Sequence, residues 1–384
     1  MKEAPSPILP ADEAELRSKR RVARIGMALG SVFGLVIAIL YINNRTFLSA
    51  LSPWQWPGVL VGGFYAVIIS HELGHLIAGW LMGFELNLFH ISPISLQRKP
   101  TGWKLAFNTK AQAVGYISMI PRSYERIHQR LRIFILGGPL GNLALTFICS
   151  IVLSQPLASV WQRFFIVTAG LSLLLGLLNL IPFEDKHLQS DGARLKMIRH
   201  QPRQAERWIA AIALSSAMVR DVRPRDWGAD VVERALACPD RSQDHILAVL
   251  MAYMWAEDRE DYDQAQSYLD PLLADHSYAS PSNQAVILTE GTFFYSYHRR
   301  NLNLARDCWN RLKPLGQHIP HPILVYTRTT LLAAEGRLDE ARERLQEYLQ
   351  VRKEHPYTWM REGEAKWLTR MQSVLNVVEA PAIS

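Results

Sequence analysis

The sequence predicts a mainly α-helical protein: a polytopic membrane core of about four transmembrane helices with a small membrane-associated β-hairpin, followed by a soluble α-solenoid. Three observations lead to this prediction. Apolar segments long enough to cross a bilayer are confined to the first half of the 384-residue chain. A short segment in the same half alternates apolar and polar residues, as strands do. The second half is polar, helical in its periodicity and internally repetitive.

The charge distribution separates the two halves. Residues 1–183 carry 16 Lys and Arg against 7 Asp and Glu, a net charge of +9, whereas residues 184–384 carry 26 against 28, a net charge of −2. Long uncharged stretches in the first half are typical of membrane spans and not of a nucleic-acid surface, so we expect no nucleic-acid partner. Three widely spaced cysteines without a CxxC pair argue against a disulfide framework and a cysteine-based metal site.

Four apolar segments are long enough to span a bilayer, which requires about 20 helical residues. They cover approximately residues 25–42, 58–83, 133–154 and 160–182. The N-terminal tail, residues 1–24, and the segment 84–132 hold most of the Lys and Arg of this half, which places both on the cytoplasmic side. We therefore expect an integral, multi-pass protein with both termini in the cytoplasm. A bacterial plasma membrane is the expected location, and an organelle membrane would fit the same pattern.

The segment 84–132 is too polar to span the bilayer. Apolar residues alternate with polar ones from Leu86 to Leu96 and again from Trp103 to Phe107, on either side of a turn-forming Lys-Pro-Thr-Gly sequence at residues 99–102. This pattern predicts a β-hairpin at the membrane surface. An amphipathic loop lying on the lipid headgroups is the alternative.

The domain formed by residues 201–384 contains an internal repeat. Residues 260–265, 300–305 and 336–341 align on an alanine, at spacings of 40 and 36 residues. These spacings are close to the roughly 34-residue tetratricopeptide period, so we expect a short α-solenoid that binds a cytoplasmic protein partner. A plain helical bundle is the alternative.

The second apolar segment contains an HExxH motif, formed by His71, Glu72 and His75. On a helix, residues i and i+4 lie on one face, so the two imidazoles can bind one zinc ion. Glu72 then lies beside a water on the metal and can act as general base and afterwards as general acid. An ionised side chain within an apolar span is unfavourable unless it is partnered, which indicates a functional site within residues 25–200.

Catalytic zinc sites usually have three protein ligands, so a third ligand is needed. The fourth apolar segment is followed by three residues that are suitable on chemistry alone: Asp185, His187 and Asp191. Asp191 precedes a conformationally permissive glycine. The residue types alone do not decide which of the three is the third ligand.

These motifs resemble those of the site-2 protease family, membrane-embedded zinc metalloproteases that cut substrates within or next to a transmembrane segment. Three motifs carry the resemblance, which covers about residues 55–200: the HExxH inside a span, the Gly-Gly-Pro-Leu-Gly-Asn sequence at residues 137–142, and the Asn, Pro and Asp-Gly pattern at residues 179–192. The resemblance implies one zinc ion per chain, held by His71, His75 and Asp191, with Glu72 as the catalytic residue. It therefore favours Asp191 over the other two candidates.

The same resemblance implies that Asn179 and Pro182 position the substrate, with Asn142 as a weaker candidate for that task. The alternative for the glycines of residues 137–141 is close helix packing. One feature departs from the pattern of many members, in which the aspartate follows the asparagine more closely and in a Leu-Asp-Gly context. Here Asp191 lies 12 residues after Asn179, in a Ser-Asp-Gly context.

The expected activity is regulated intramembrane proteolysis of a membrane protein substrate, which we expect to be a single-pass protein. A substrate helix must unwind first, because its carbonyls are hydrogen-bonded and shielded from water. We expect the hairpin over residues 86–107 to accept the unwound segment as an added strand. Two other functions remain: an inactive membrane-anchored scaffold whose repeat domain binds partners, and a metal carrier or sensor. Neither requires the base Glu72.

Overall fold

The computed structural model describes residues 51–99, 102–107, 114–183, 189–240, 242–352 and 358–376. The chain divides into two compact units between Ala205 and Glu206. We call them the N-terminal unit, residues 11–205, and the C-terminal unit, residues 206–384. The first predicted span, residues 25–42, lies outside the described residues.

In the described part of the N-terminal unit, three helices are long and apolar enough to cross a membrane. They are α1 (Gln55–Leu81), α2 (Ile127–Val152) and α3 (Ser159–Asn179). They match the last three predicted spans, although α2 begins six residues before the predicted 133. Basic residues interrupt the apolar run there, but the helix continues through them.

The outer faces of these three helices are apolar and exposed. Trp54, just before α1, is 90% exposed and Trp161, in the first turn of α3, is 56% exposed, as expected of aromatic residues at a membrane interface. Exposed apolar side chains continue along the helices at Leu60, Val61, Ile77, Trp80, Leu140, Phe147, Ile148, Ile151, Leu173 and Leu177. Surfaces of this kind belong in lipid. The three helices thus indicate a membrane protein.

A four-stranded antiparallel sheet connects α1 to α2 and has the strand order β3-β2-β1-β4. Its strands are β1 (Phe84–Ile91), β2 (Ile94–Lys99), β3 (Gly102–Phe107) and β4 (Gly115–Pro121). The predicted hairpin is present as the β2–β3 pair. It is part of a larger sheet, which also contains β1 and β4. Strand β4 returns past two strands to pair with β1, a non-local pairing that a local alternation pattern does not reveal.

The rest of the described chain is helical. A short helix, α4 (Asp191–His200), follows the last candidate span, and α5 (Pro202–Val219) comes next. The remaining helices are α6 (Ala229–Ala235), α7 (Gln243–Asp258), α8 (Tyr262–Ala274), α9 (Pro281–Tyr297), α10 (Leu302–Leu312), α11 (His321–Ala334), α12 (Leu338–Val351) and α13 (Thr358–Leu375).

The predicted repeat corresponds to three helical hairpins, α7–α8, α9–α10 and α11–α12. Each hairpin turns at a residue with positive φ: Glu260 (62°), Arg300 (53°) and Gly336 (76°). Five residues later stands a fully buried alanine in every case, at 265, 305 and 341. An alanine allows the two helices of a hairpin to approach closely, which explains why the alignment falls on this residue. The three sequence stretches therefore occupy equivalent places in the fold.

Candidate metal centre

Helix α1 brings His71 and His75 together inside the N-terminal unit. Their Nε2 atoms are 3.2 Å apart, and the two residues are only 9% and 6% exposed. The pairing follows from the i, i+4 spacing on a helix that continues well beyond both residues. HExxH therefore has the helical context that its chemistry needs.

Asp191, the first residue of α4, completes a group of three potential ligands. Its Oδ2 lies 3.2 Å from His71 Nε2, and its Oδ1 lies 3.5 Å from His75 Nε2. All three ligand atoms lie within 4.8 Å of one another. The other two candidates from the sequence, Asp185 and His187, lie outside the described residues.

The donor set fits a zinc ion. Ligands bonded to tetrahedral zinc at about 2.0–2.1 Å are about 3.3 Å apart. The two imidazole nitrogens are 3.2 Å apart, and each has a different Asp191 oxygen at 3.2 or 3.5 Å. Asp191 Oδ2 is buried and accepts no hydrogen bond from the described residues. Each Asp191 oxygen faces one imidazole nitrogen, and a bound cation would stabilise this buried carboxylate beside two neutral imidazoles. Two imidazoles and one carboxylate also leave a coordination position open, as in catalytic zinc sites.

Gly138 of α2 keeps the space in front of the two histidines open. A Cβ atom placed on Gly138 would lie 2.3 Å from His75 Nε2 and 2.6 Å from His71 Nε2. Both distances are far inside van der Waals contact. Any side chain at 138 would therefore occupy the place towards which the ligand atoms converge.

The other two glycines of this motif pack α2 against α1. A Cβ on Gly137 would lie 2.4 Å from the carbonyl oxygen of Gly74, and one on Gly141 would lie 2.4 Å from that of Ser70. Ser70 Oγ also donates a hydrogen bond to the Gly141 carbonyl. Helix packing thus explains Gly137 and Gly141, whereas Gly138 faces the candidate metal centre.

Ser190 explains how Asp191 reaches the histidines despite its distance in sequence from Asn179. The Ser190 hydroxyl caps α4 by accepting from Ala193 N–H, accepts from Phe183 N–H, and donates to the Ile181 carbonyl. The Ser190 N–H donates in turn to the Phe183 carbonyl. The chain is therefore drawn together at Phe183 and Ser190, so that extra residues between them do not displace Asp191.

Gly192 allows α4 to approach the end of α3. A Cβ at this position would lie 2.1 Å from the Leu180 carbonyl oxygen. The Asp-Gly pair consequently has two separate roles in the fold: the aspartate supplies the oxygen atoms, and the glycine lets its helix come close enough to present them.

The two asparagines implied by the resemblance both contact the ring of His71. Asn142 Nδ2 lies 3.2 Å from His71 Nδ1, and Asn179 Nδ2 lies 2.9 Å from His71 Nε2. Pro182 is exposed, three residues beyond the end of α3. The structure thus brings the two carboxamides to the site, and the substrate-positioning role of these residues stays a prediction.

Two further contributors to the site were not recognised in the sequence. The Phe134 carbonyl oxygen lies 2.9 Å from His75 Nδ1 and so orients that ring, but a main-chain carbonyl leaves no mark on residue type. Gly115 begins β4 beside the carboxylate of Glu72: a Cβ on Gly115 would lie 2.9 Å from Glu72 Oε1. Glu72 itself is 7% exposed.

Residues 59–160 match the family model described as Peptidase family M50, the site-2 protease family. The matched region contains the HExxH motif and the glycine-rich sequence in the middle of α2, and it ends before Asn179 and Asp191. At the family level the match supports an intramembrane metalloprotease, and these peptidases are zinc enzymes. No curated protein and no solved structure matches the chain.

Proposed function

We propose that this protein is an intramembrane zinc metalloendopeptidase that hydrolyses a peptide bond in or near the transmembrane segment of a membrane protein. The observation that carries the proposal is the convergence of three potential ligands within 4.8 Å. His71 and His75 lie on an apolar helix long enough to span a bilayer, and Asp191 reaches them from α4. The M50 match of the surrounding residues supports the same reaction class.

In this proposal His71, His75 and Asp191 hold one zinc ion per chain. When bound, zinc polarises the scissile carbonyl and makes a water molecule more acidic. Glu72 is buried next to His71 on α1, and the proposal assigns its carboxylate to the same site. It takes a proton from the attacking water and delivers it to the nitrogen of the leaving amine. Burial of Glu72 and both histidines keeps other water away from the reacting atoms.

The experiment that tests this proposal measures zinc content and hydrolysis together on the full-length protein in detergent. Wild type should contain one zinc per chain and cleave transmembrane peptides from a fluorogenic panel. Glu72→Gln should keep the zinc and lose about 10²–10⁴-fold in rate, because only the proton-transfer group changes. Asp191→Ala should lose both. Wild type that contains zinc but hydrolyses none of the peptides would favour the metal carrier. Wild type with neither zinc nor hydrolysis would favour the scaffold.

The sheet offers the unwound substrate an edge at β4. Gly115 begins β4 beside Glu72. The hairpin that was expected to bind the substrate has β3 as its free edge. Strand β3 lies three strand spacings, or about 14 Å, from β4. A peptide added to the outer side of β4 therefore passes the catalytic carboxylate. The geometry favours β4 over β3 as the strand that holds the substrate.

Proline substitutions distinguish the two edges, since proline removes one main-chain N–H. Successive N–H groups point to opposite sides of a strand, so one of Tyr116→Pro and Ile117→Pro removes an outward donor of β4 and spares its pairing with β1. That variant should keep its zinc and lose hydrolysis, whereas Leu105→Pro on β3 should cleave normally. Loss of hydrolysis in Leu105→Pro alone would place the substrate on β3.

For orientation, we propose that the sheet side faces the cytoplasm of a bacterial cell, as do both termini. Arg98, Arg122, Arg126 and Arg130 lie in or beside the sheet, while Trp54 and Trp161 lie at the opposite ends of the spans. A cysteine introduced at Lys104 should be labelled only from the cytoplasmic face of vesicles, and one at Gln155 only from the other face.

For partners, we propose a single-pass membrane protein as the substrate and a cytoplasmic protein bound to the tetratricopeptide-like hairpins of the C-terminal unit. Stacked helical hairpins of this type present extended surfaces to other proteins. All ligands of the candidate metal centre lie in the N-terminal unit. Deletion of residues 206–384 should therefore change substrate choice while zinc stays at one per chain, and loss of zinc would show that the deleted unit is structural.

A further inference from the structure

The ring of His71 has a carboxamide on each of its two nitrogen atoms. Asn142 Nδ2 lies 3.2 Å from Nδ1, and Asn179 Nδ2 lies 2.9 Å from Nε2. A neutral imidazole has one N–H donor and one acceptor, and a protonated imidazole has two donors. Neither form can accept an amide N–H at both nitrogens. One of the two carboxamides must therefore present its oxygen to the ring.

The surroundings of Nε2 decide which nitrogen carries the hydrogen. Nε2 also lies 3.2 Å from His75 Nε2 and 3.2 Å from Asp191 Oδ2, so it faces the metal side. A metal ion takes the lone pair of a neutral imidazole nitrogen. The hydrogen of His71 must then be on Nδ1, which needs an acceptor and not a second donor.

Asn142 has an oxygen that matches this requirement. The residue is 1% exposed, and its Oδ1 is buried without a hydrogen-bond partner among the described residues. Turning the carboxamide over brings Oδ1 to His71 Nδ1–H. That change pairs the buried Oδ1 with the Nδ1–H donor and moves Nδ2 to the position that Oδ1 now occupies. A buried imidazole N–H without an acceptor would destabilise the fold by about 1–3 kcal/mol.

The backbone of Asn142 is held firmly enough to fix this contact. Thr146 Oγ1 and Ser172 Oγ both donate hydrogen bonds to the Asn142 carbonyl, the second from the neighbouring helix α3. Gly176 of α3 also packs against it, since a Cβ on Gly176 would lie 3.0 Å from the Asn142 Cβ. Asn142 is thus anchored from two helices, on the side of His71 that faces away from Asp191.

We infer that Asn142 is a positioning residue for the metal ligand His71: its Oδ1 accepts from Nδ1–H and fixes the tautomer that offers Nε2 to zinc. For His75 the corresponding acceptor is the Phe134 main-chain carbonyl, 2.9 Å from Nδ1, and the Gly138 N–H lies 3.2 Å from the same nitrogen. Asn142 acts on the ligand and not on the substrate, unlike the role implied by the resemblance. The inference rests on the proposed zinc site.

The test is the zinc affinity of the full-length protein in detergent, measured by competition with a chelator. Asn142→Leu keeps the shape and removes the acceptor, so zinc should bind about 10- to 100-fold more weakly, the usual effect of losing such a partner. Asn142→Asp keeps an oxygen at the same place and should bind within about threefold of wild type. Asn310→Leu, the same exchange at an exposed position of α10, is the matched control and should retain wild-type affinity. Asn179→Leu tests the other carboxamide.

The outcomes separate this inference from the proposed function. If wild type binds one zinc and Asn142→Leu binds it equally tightly, the positioning role is wrong while the protease proposal stands. Loss of affinity in Asn179→Leu but not in Asn142→Leu would assign the role to Asn179. Thermal midpoints of the metal-free variants identify misfolding. Equal weakening by Leu and Asp at position 142, with lowered midpoints for both, would show a purely structural residue and overturn the inference.

Discussion

Gly138 faces His75 across the contact between α1 and α2, so closely that a Cβ on Gly138 would lie 2.3 Å from His75 Nε2. The same Cβ would lie 2.6 Å from His71 Nε2. Both ligand atoms therefore point to a space that exists only because residue 138 has no side chain. Gly138 therefore shapes the candidate metal centre, whereas other glycines of the motif allow close helix packing. Substitutions in the two groups should have different effects, on zinc content in the first and on stability in the second.

Gly138→Ala should lose zinc. The new methyl group either fills the ligand space or turns the imidazoles away from it, and both effects remove the metal. We expect well under one zinc per chain by elemental analysis, with hydrolysis lost in parallel. Gly170→Ala on α3 is the matched control, because a Cβ there meets nothing within 4 Å. A full complement of zinc in Gly138→Ala would contradict the assignment of this space to the metal.

Gly137→Ala should instead lower stability. Its Cβ would lie 2.4 Å from the Gly74 carbonyl oxygen, so α1 and α2 would have to move apart. Overpacking of this kind destabilises by about 1–3 kcal/mol, which a thermal midpoint in detergent detects. Gly58→Ala, on α1 with open space around it, should leave the midpoint unchanged. Equal midpoints for the two variants would mean that this helix contact does not limit stability.

The sequence was sufficient to predict those parts of the site and of the fold that depend on local spacing. His71 and His75 share a helix face whatever surrounds them, and the turns at Glu260, Arg300 and Gly336 recur because each repeat folds within itself. The sheet beyond the β2–β3 hairpin was not predictable in this way. Strand β4 pairs with β1 across the intervening strands, so no local pattern encodes its place.

Main-chain contacts account for the rest of what the sequence did not reveal. The carbonyl of Phe134 orients His75 and would do so with another side chain at 134. The chain pairing between Phe183 and Ser190 likewise depends on where the backbone closes. Because this pairing brings Ser190 back to Phe183, the 12-residue spacing between Asn179 and Asp191 does not prevent Asp191 from reaching the histidines.

Ser190→Ala should weaken zinc binding without touching a ligand. The hydroxyl makes three hydrogen bonds that close the chain at Phe183 and cap the helix bearing Asp191. Loss of such a cap destabilises by about 0.5–2 kcal/mol, and here the freed helix start also carries the carboxylate. We expect a severalfold loss of zinc affinity in chelator competition. Ser154→Ala, exposed beyond the end of α2, is the control. Unchanged affinity in Ser190→Ala would mean that Asp191 is held by its other contacts.

Glu290 should make the stability of the C-terminal unit depend on pH. Burial, reinforced by the charge of Glu257, raises the pKa of the Glu290 carboxyl to about 7 from its ordinary 4.5, although Tyr253 donates a hydrogen bond to it. Between pH 4.5 and 7 the unfolded chain releases this proton while the folded chain keeps it. The stabilisation is therefore complete below pH 4.5 and is lost as the pH rises through 7.

Glu290→Gln removes this titration, so its stability relative to wild type should increase from pH 5 to pH 8, by up to about 3 kcal/mol. The difference between the two proteins is the diagnostic quantity, because His245 acts in the opposite direction. Burial and the nearby Arg207 lower the pKa of His245 to about 4 from its ordinary 6.5. The stabilisation that neutral His245 contributes therefore increases with pH between about 4 and 6.5. Thermal midpoints of the full-length protein at each pH provide the measurement, with exposed Glu343→Gln as the control. A constant difference between Glu290→Gln and wild type would show that the Glu290 carboxyl ionises alike in the folded and unfolded chains.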